Sequence, residues 1–287
     1  MQEDTPNQSR RLSLALGLGG LVAAAALPTA AEADTANGGS RLDTVMKRGK
    51  LLVATFGTNP PLCFADKNGK LVGFDIDIAR LVAKGMFGDA NKIEFQIVDS
   101  SGRWPAVLSG RTDFGIASTT IYPDRALRVA FTSRYMDSGI SVLVRKDAKI
   151  NSLHDLNDPS HTVADLSNPQ MADRAKQFFP KAKLLTFETP SAMMLAVKTG
   201  QAQAMQMDTP VVDWYAHNDQ TFKVLPTLLG NVQNNAIFMK PGDFTWWLYL
   251  DTLVKEMRTG SRYDEYSAVF NKWFGRNPPP ERFYLNT

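Results

Sequence analysis

The segment Thr112-Asp113-Phe114-Gly115-Ile116-Ala117-Ser118-Thr119-Thr120-Ile121-Tyr122-Pro123-Asp124-Arg125 decides the reading of this chain. Residues 112–117 form a short apolar strand, and Pro123 suits the first position of a following helix. Between them stand hydroxyls and backbone amides that no intrahelical bond satisfies, with Asp124 at the positive end of the helix dipole. An anion placed there would satisfy those amides. Arg125 adds a planar fork of donors that meets a carboxylate in two-point geometry, each charge-assisted contact contributing about 1.5–3 kcal/mol. By itself the segment reads more readily as an ordinary helix start with a surface arginine, so its surroundings decide.

Upstream, residues 51–55 read as a buried strand, 66–69 as a turn, 74–86 as a helix, 92–98 as a strand and 104–109 as a short helix. Strands alternating with helices imply α/β structure with a mostly parallel sheet. Ligands of such sheets sit outside the carboxyl ends of the strands, which is where residues 118–125 fall. Downstream, the apolar runs 139–144 and 236–239 bracket a second α/β unit. Its strands are expected at 162–164, 183–186 and 202–207, and its helices at 170–179 and 190–198. Helices 246–258 and 263–273 and a Pro-rich tail at 277–280 complete the chain. The expectation is two lobes with a cleft between them. Residues 34–138 with 239–287 make the first lobe, 145–234 the second, and strands at about 139–144 and 235–238 cross between them as a hinge.

Residues 1–33 read as a cleaved secretory signal peptide, with Arg10-Arg11, an apolar run and the small-residue site Ala31-Glu32-Ala33. Ser9-Arg10-Arg11 partly resembles a twin-arginine signal, so either general or twin-arginine export into the periplasm fits. The formal net charge is +3, and basic residues are interspersed with acidic ones, which argues against nucleic acid or a membrane surface as partner. Cys63 is alone and reads as a buried thiol. His154, His161 and His217 lack metal-ligand spacing, so no metal is expected. The mature chain shows neither a glycine-rich phosphate cradle nor a nucleophile elbow, so no cofactor and no catalytic residue is assigned.

An ordered set of segments carries a resemblance. Asn68-Gly69-Lys70-Leu71-Val72-Gly73-Phe74-Asp75-Ile76-Asp77-Ile78-Ala79, Ser109-Gly110-Arg111-Thr112-Asp113, residues 120–125 with Val129-Ala130-Phe131-Thr132, and Val144-Arg145-Lys146-Asp147 make up its first part. Ser152-Leu153-His154-Asp155-Leu156 and Thr199-Gly200-Gln201-Ala202-Gln203-Ala204 make up its second. Together they resemble the periplasmic solute-binding proteins of polar amino-acid ABC importers, solute-binding protein family 3, over most of the mature chain. The resemblance implies the type II periplasmic binding protein fold, an amino acid as ligand, membrane permease subunits as partners and a monomer. It is not the resemblance of an enzyme. It implies that Arg125 holds the ligand α-carboxylate with Thr120, that Ser118 accepts from the ammonium, and that Asp208 is the counter-charge on the second lobe. From its position alone Asp208 could equally cap the helix beginning near Thr209-Pro210.

The implied side-chain pocket is polar, because Asn59 and Ser100 stand where many relatives carry aromatic rings. Arg103 resembles the arginine that glutamate/aspartate-binding members use for a side-chain carboxylate, and the tail resembles that subgroup. Phe56 and Pro190 depart from it. Ser167 and Asn168 are the expected second-lobe donors, although Pro169 has no amide to give. Tyr122 replaces the threonine that often caps the carboxylate-site helix. Two alternatives share the fold: a ligand-presenting sensor component, or a cyclohexadienyl dehydratase-like enzyme with Asp99 as the nearest candidate proton donor.

Overall fold

The computed structural model describes residues 39–278. The expected signal peptide and the last residues of the Pro-rich tail lie outside the described residues.

Helix α1 (Arg41–Arg48) begins where the Ser40 hydroxyl accepts from the Leu42 amide and ends at Gly49 with φ 72°. It leads into β1 (Leu51–Thr55) and a small antiparallel meander of β2 (Thr58–Asn59), β3 (Cys63–Ala65) and β4 (Leu71–Val72). Then follow α2 (Phe74–Phe87), β5 (Ile93–Ile97), α3 (Arg103–Leu108), β6 (Phe114–Gly115), α4 (Pro123–Ala126) and β7 (Ala130–Ser138). The next unit contains β8 (Ile140–Arg145), α5 (Leu153–Leu156), β9 (Thr162–Leu166), α6 (Pro169–Phe178), β10 (Lys183–Phe187), α7 (Pro190–Thr199), β11 (Ala204–Asp208), α8 (Thr209–Asn218) and β12 (Phe222–Val224). The chain closes with β13 (Gln233–Met239), α9 (Phe244–Thr259) and α10 (Tyr263–Phe274).

Two five-stranded sheets organise these elements, in the orders β5-β1-β6-β13-β7 and β10-β9-β11-β8-β12. Each is mixed. Three parallel strands, such as β5, β1 and β6 with Leu51 opposite Ile93 and Val53 opposite Phe114, continue into two antiparallel ones. In the second sheet β10, β9 and β11 are parallel, β8 runs against them, and β12, paired antiparallel with β8, runs with them again. The stretches expected as crossing strands are members of the sheets: β8 pairs with β11 and β12, and β13 with β6 and β7. The chain itself passes between the sheets at Gly139, directly between β7 and β8, and again over residues 225–232.

Local chemistry fixes the parts nearest the cleft. Gly73 has φ 136°, and a Cβ there would stand 2.1 Å from the Leu62 carbonyl oxygen, so only glycine lets α2 start against the meander. Gly115 leaves room for the Phe238 ring, which a Cβ would meet at 2.0 Å. β6 is shorter than the expected strand because the chain turns sharply at Ser118. In the second lobe, Asn168 and Thr189 accept from the amides of Met171 and Ala192, and a proline follows each cap at the first turn. Behind the first sheet, Phe74 packs against Tyr135, Tyr266, Phe270 and Phe274 with ring centroids 5.0–6.1 Å apart. Truncating a ring in such a cluster costs about 3–5 kcal/mol. The second sheet is cored mostly by aliphatic and methionine side chains, including Val142, Val163, Met193 and Met205, together with Phe179 and Phe222.

Candidate functional site

The carboxyl ends of the parallel strands of both sheets converge. Phe56 follows β1, residues 98–103 follow β5, Ser118 follows β6, Ser167 and Asn168 follow β9, and Asp208 ends β11. Ser118 has φ 39°, the one positive value of a non-glycine among the described residues. A left-handed L-residue costs about 1–2 kcal/mol, so something must hold it. Its amide donates to the Asp75 carboxylate at 2.8 Å, and its hydroxyl accepts from Asn59 Nδ2 at 2.8 Å. Asp75 is fully buried and also accepts from the Tyr135 hydroxyl at 2.8 Å and the Cys63 thiol at 3.8 Å. Burial pushes the Asp75 carboxyl up to about 6 in spite of these donors. Asn59 therefore lies behind Ser118, not on the cavity wall.

Arg125 sits on the single-turn α4 and is 8% exposed. Its Nη1 donates to the Thr120 carbonyl at 2.9 Å, and its guanidinium lies 4.8 Å from the Tyr122 ring centroid. Tyr122 makes no side-chain cap, so the helix start keeps its free amides. Burial lowers the Arg125 pKa, and Tyr122, Asp124 and Asp208 oppose that shift. Arg103, at the first turn of α3 and 3% exposed, lies 4.6 Å from the Trp104 ring and 5.7 Å from that of Phe56. Its Nη1 reaches the Thr119 hydroxyl at 3.3 Å, while Nε is buried with no partner. Burial, reinforced by repulsion from Arg125, brings the guanidinium down to about 9.

Asp208 faces these groups from the second lobe. It occupies the N-cap position of α8 but makes no capping bond; its Oδ1 is buried without a partner, and the residue is 4% exposed. The capping role open to it from sequence is thus not what its side chain does. Burial raises its carboxyl to about 6, against the neighbouring Ser138 and Asn235 side chains.

Phe56, Arg103, Ser118, Thr120, Arg125, Asn168 and Asp208 share one cavity. Its free volume is about 30 Å³, enough for water but small for an amino acid without some opening. Ser100 and Ser167 line an adjoining groove and tie the lobes together: the Ser100 amide donates to the Glu188 carbonyl at 3.2 Å, and its hydroxyl to the Ser167 carbonyl at 3.0 Å. The lobes therefore meet in a closed arrangement. Sequence reasoning passed over Gln170 and Arg174, which line the cavity from α6 one turn apart. Gln170 bonds Arg125, and Arg174 donates to the Tyr122 hydroxyl at 2.5 Å. Their i, i+4 spacing on a helix opening at the cleft was the available signal. Just beneath, fully buried Asp165 is pushed up to about 7 by desolvation, with its Oδ2 and the Gln206 Oε1 unpartnered. Asp99, the candidate proton donor, accepts instead from the Gly102 amide and the Ser101 hydroxyl in the turn before α3.

Comparison with known proteins completes the description. The model of the bacterial extracellular solute-binding proteins, family 3, matches residues 51–276. A glutamine-binding protein of Geobacillus stearothermophilus is 36% identical over 67% of this chain and 73% of its own length. A glutamate/aspartate import solute-binding protein of Escherichia coli is 22% identical over 96% of this chain and 90% of its own length. The crystal structure of an ancestral amino-acid-binding protein, described as a precursor of cyclohexadienyl dehydratase, superposes with a TM-score of 0.74. It is 35% identical, and the match covers 82% of this chain and all of the other.

Proposed function

Since the chain belongs to the bacterial extracellular solute-binding proteins of family 3, we propose that it captures glutamate or aspartate between its lobes and delivers it to the permease subunits of an ABC importer. In this reading residues 1–33 are a cleaved signal peptide, by either export route, and the mature monomer works in the periplasm. Residues 39–138 with 233–278 act as one moving lobe and 140–224 as the other, with Gly139 and 225–232 as the hinge. Arg125 and Thr120 take the α-carboxylate. Ser118, held by Asp75 and Asn59, and Asp208 take the ammonium. Ser100, Ser167 and Asn168 close the rim.

The charge balance of the cavity carries the acidic assignment. Among the described residues lining it, Arg103, Arg125 and Arg174 are cationic and Asp208 is the one acid. A neutral zwitterion would leave the buried Arg103 guanidinium without a counter-ion, which is costly, whereas a side-chain carboxylate supplies one. Arg103 lies against the aromatic side chains of Phe56 and Trp104 with Nε free for it. A second reading, glutamine, is favoured by the 36% identical glutamine-binding relative, since an amide carbonyl also accepts from Arg103. We do not propose the dehydratase reaction, because Asp99 is engaged in its turn and Asp208 is assigned to the ammonium.

Calorimetry on the wild type and on Arg103→Ala with glutamate and glutamine separates the readings. Loss of a charge-assisted contact of about 1.5–3 kcal/mol weakens glutamate by about 10- to 100-fold and glutamine by much less. Equal losses for the two would remove the basis of the acidic assignment.

A further inference from the structure

All three side-chain nitrogens of Arg125 are engaged inside the chain, and two of them, Nε and Nη2, reach across the cleft. Nε and Nη2 donate to Oε1 of Gln170 at 3.3 and 3.1 Å. Nη2 also reaches Oδ1 of Asn168 at 3.5 Å. The Nε and Nη2 pair is one of the edges of a guanidinium that take a carboxylate through two parallel bonds. Gln170 thus sets an amide oxygen where a carboxylate oxygen would dock.

The rest of the Gln170 amide is committed too. Its Nε2 donates to the Asp124 carboxylate, so one side chain satisfies an acceptor and a donor at consecutive positions of α4. Arg174, one turn along α6, donates to Tyr122 and docks the same helix face on the same segment. Pro169 removes a backbone donor at the start of α6, and Asn168 uses its side-chain oxygen on the Met171 amide. From this side Arg125 therefore meets acceptors. A carboxylate on the same edge would face the Gln170 oxygen, and the two are mutually exclusive there.

We propose that Gln170 sets the affinity of the site: its amide stands in for a carboxylate on Arg125, latching the lobes together and competing with the solute. The competition rests on the solute reading above; the latch does not. A solute must displace Gln170, and its apparent dissociation constant is raised in inverse proportion to the unlatched population.

The test uses the mature chain and Gln170→Ala, a half-buried first-turn position whose truncation leaves the core untouched, with a melting curve to check folding. L-glutamate and L-glutamine are titrated by calorimetry, and the radius of gyration is measured by X-ray scattering with and without them. If three quarters to nine tenths of the wild type is latched, the variant binds about 4- to 10-fold more tightly. Its solute-free radius is larger than the wild type's, and the saturated radii are equal. Unchanged or weaker binding by Gln170→Ala, or equal solute-free radii, would overturn the proposal. If neither amino acid binds either protein, the solute-free radii still decide the latch, and that result counts against the proposed function alone.

Discussion

Ser118 and Asp208 stand at corresponding places, at the carboxyl ends of β6 and β11, the central strands of sheets with the same pairing pattern, yet they are held in opposite ways. Ser118 is fixed at both its amide and its hydroxyl, by Asp75 and Asn59, in a conformation that costs energy to keep. Asp208 has a buried oxygen with no partner and a helix start it does not cap. The cores differ too, with a stacked aromatic cluster behind the first sheet and mostly aliphatic and methionine packing, with Phe179 and Phe222 apart from one another in it, about the second. The first lobe carries a preformed half-site. The second carries a buried carboxylate with one oxygen still unpartnered, and on the function proposed above a solute ammonium that takes it up favours closure.

The largest expected effect breaks the preformed half. Arg125→Ala removes the contact common to all amino acids and leaves the solute carboxylate unpaired, a cost of about 2–5 kcal/mol, so calorimetry should register no binding of any amino acid. Retained binding would move the carboxylate site elsewhere.

Acidity probes the other half. Asp208 is raised to about 6, and it must be ionised to hold an ammonium, so affinity should fall by up to about tenfold per pH unit below that value. Affinity flat between pH 7 and 5 would take Asp208 out of the ammonium site. Stability of the solute-free protein should move the other way. Asp75, Asp165 and Asp208 hold their protons at about 6, 7 and 6, above the ordinary 3.8, so the folded state binds more protons than the unfolded one in this window. Their contribution is full below about 3.8 and is lost as pH rises through 6–7. Melting temperature should therefore rise by several degrees from pH 7 to pH 5, before carboxylates held low, such as Asp155, Asp158 and Glu256, begin to lose theirs.

The same contrast explains what could be read in advance. Apolar runs of ordinary length gave away β1, α2, β9, α7 and α9, because burial on one face imposes a period. The two-residue strands β2 and β4 carry no period, and β7 hides its pairing behind exposed polar positions such as Arg134 and Asp137. Arg125, Arg103 and Asp208 were legible as charges at strand ends. The hold of Asp75 on Ser118 spans 43 positions of sequence, and that of Gln170 on Arg125 spans 45. Such contacts are made by the fold and leave no local trace, which is also why Asn59 reads as a pocket wall in sequence but stands one layer back.

The most direct measurement is a calorimetric titration of the mature wild-type chain with L-glutamate at pH 7. The expected result is a saturable one-site isotherm; a flat response to glutamate, aspartate and glutamine alike would contradict the account of Arg125 and Asp208 as the two ends of an amino-acid site.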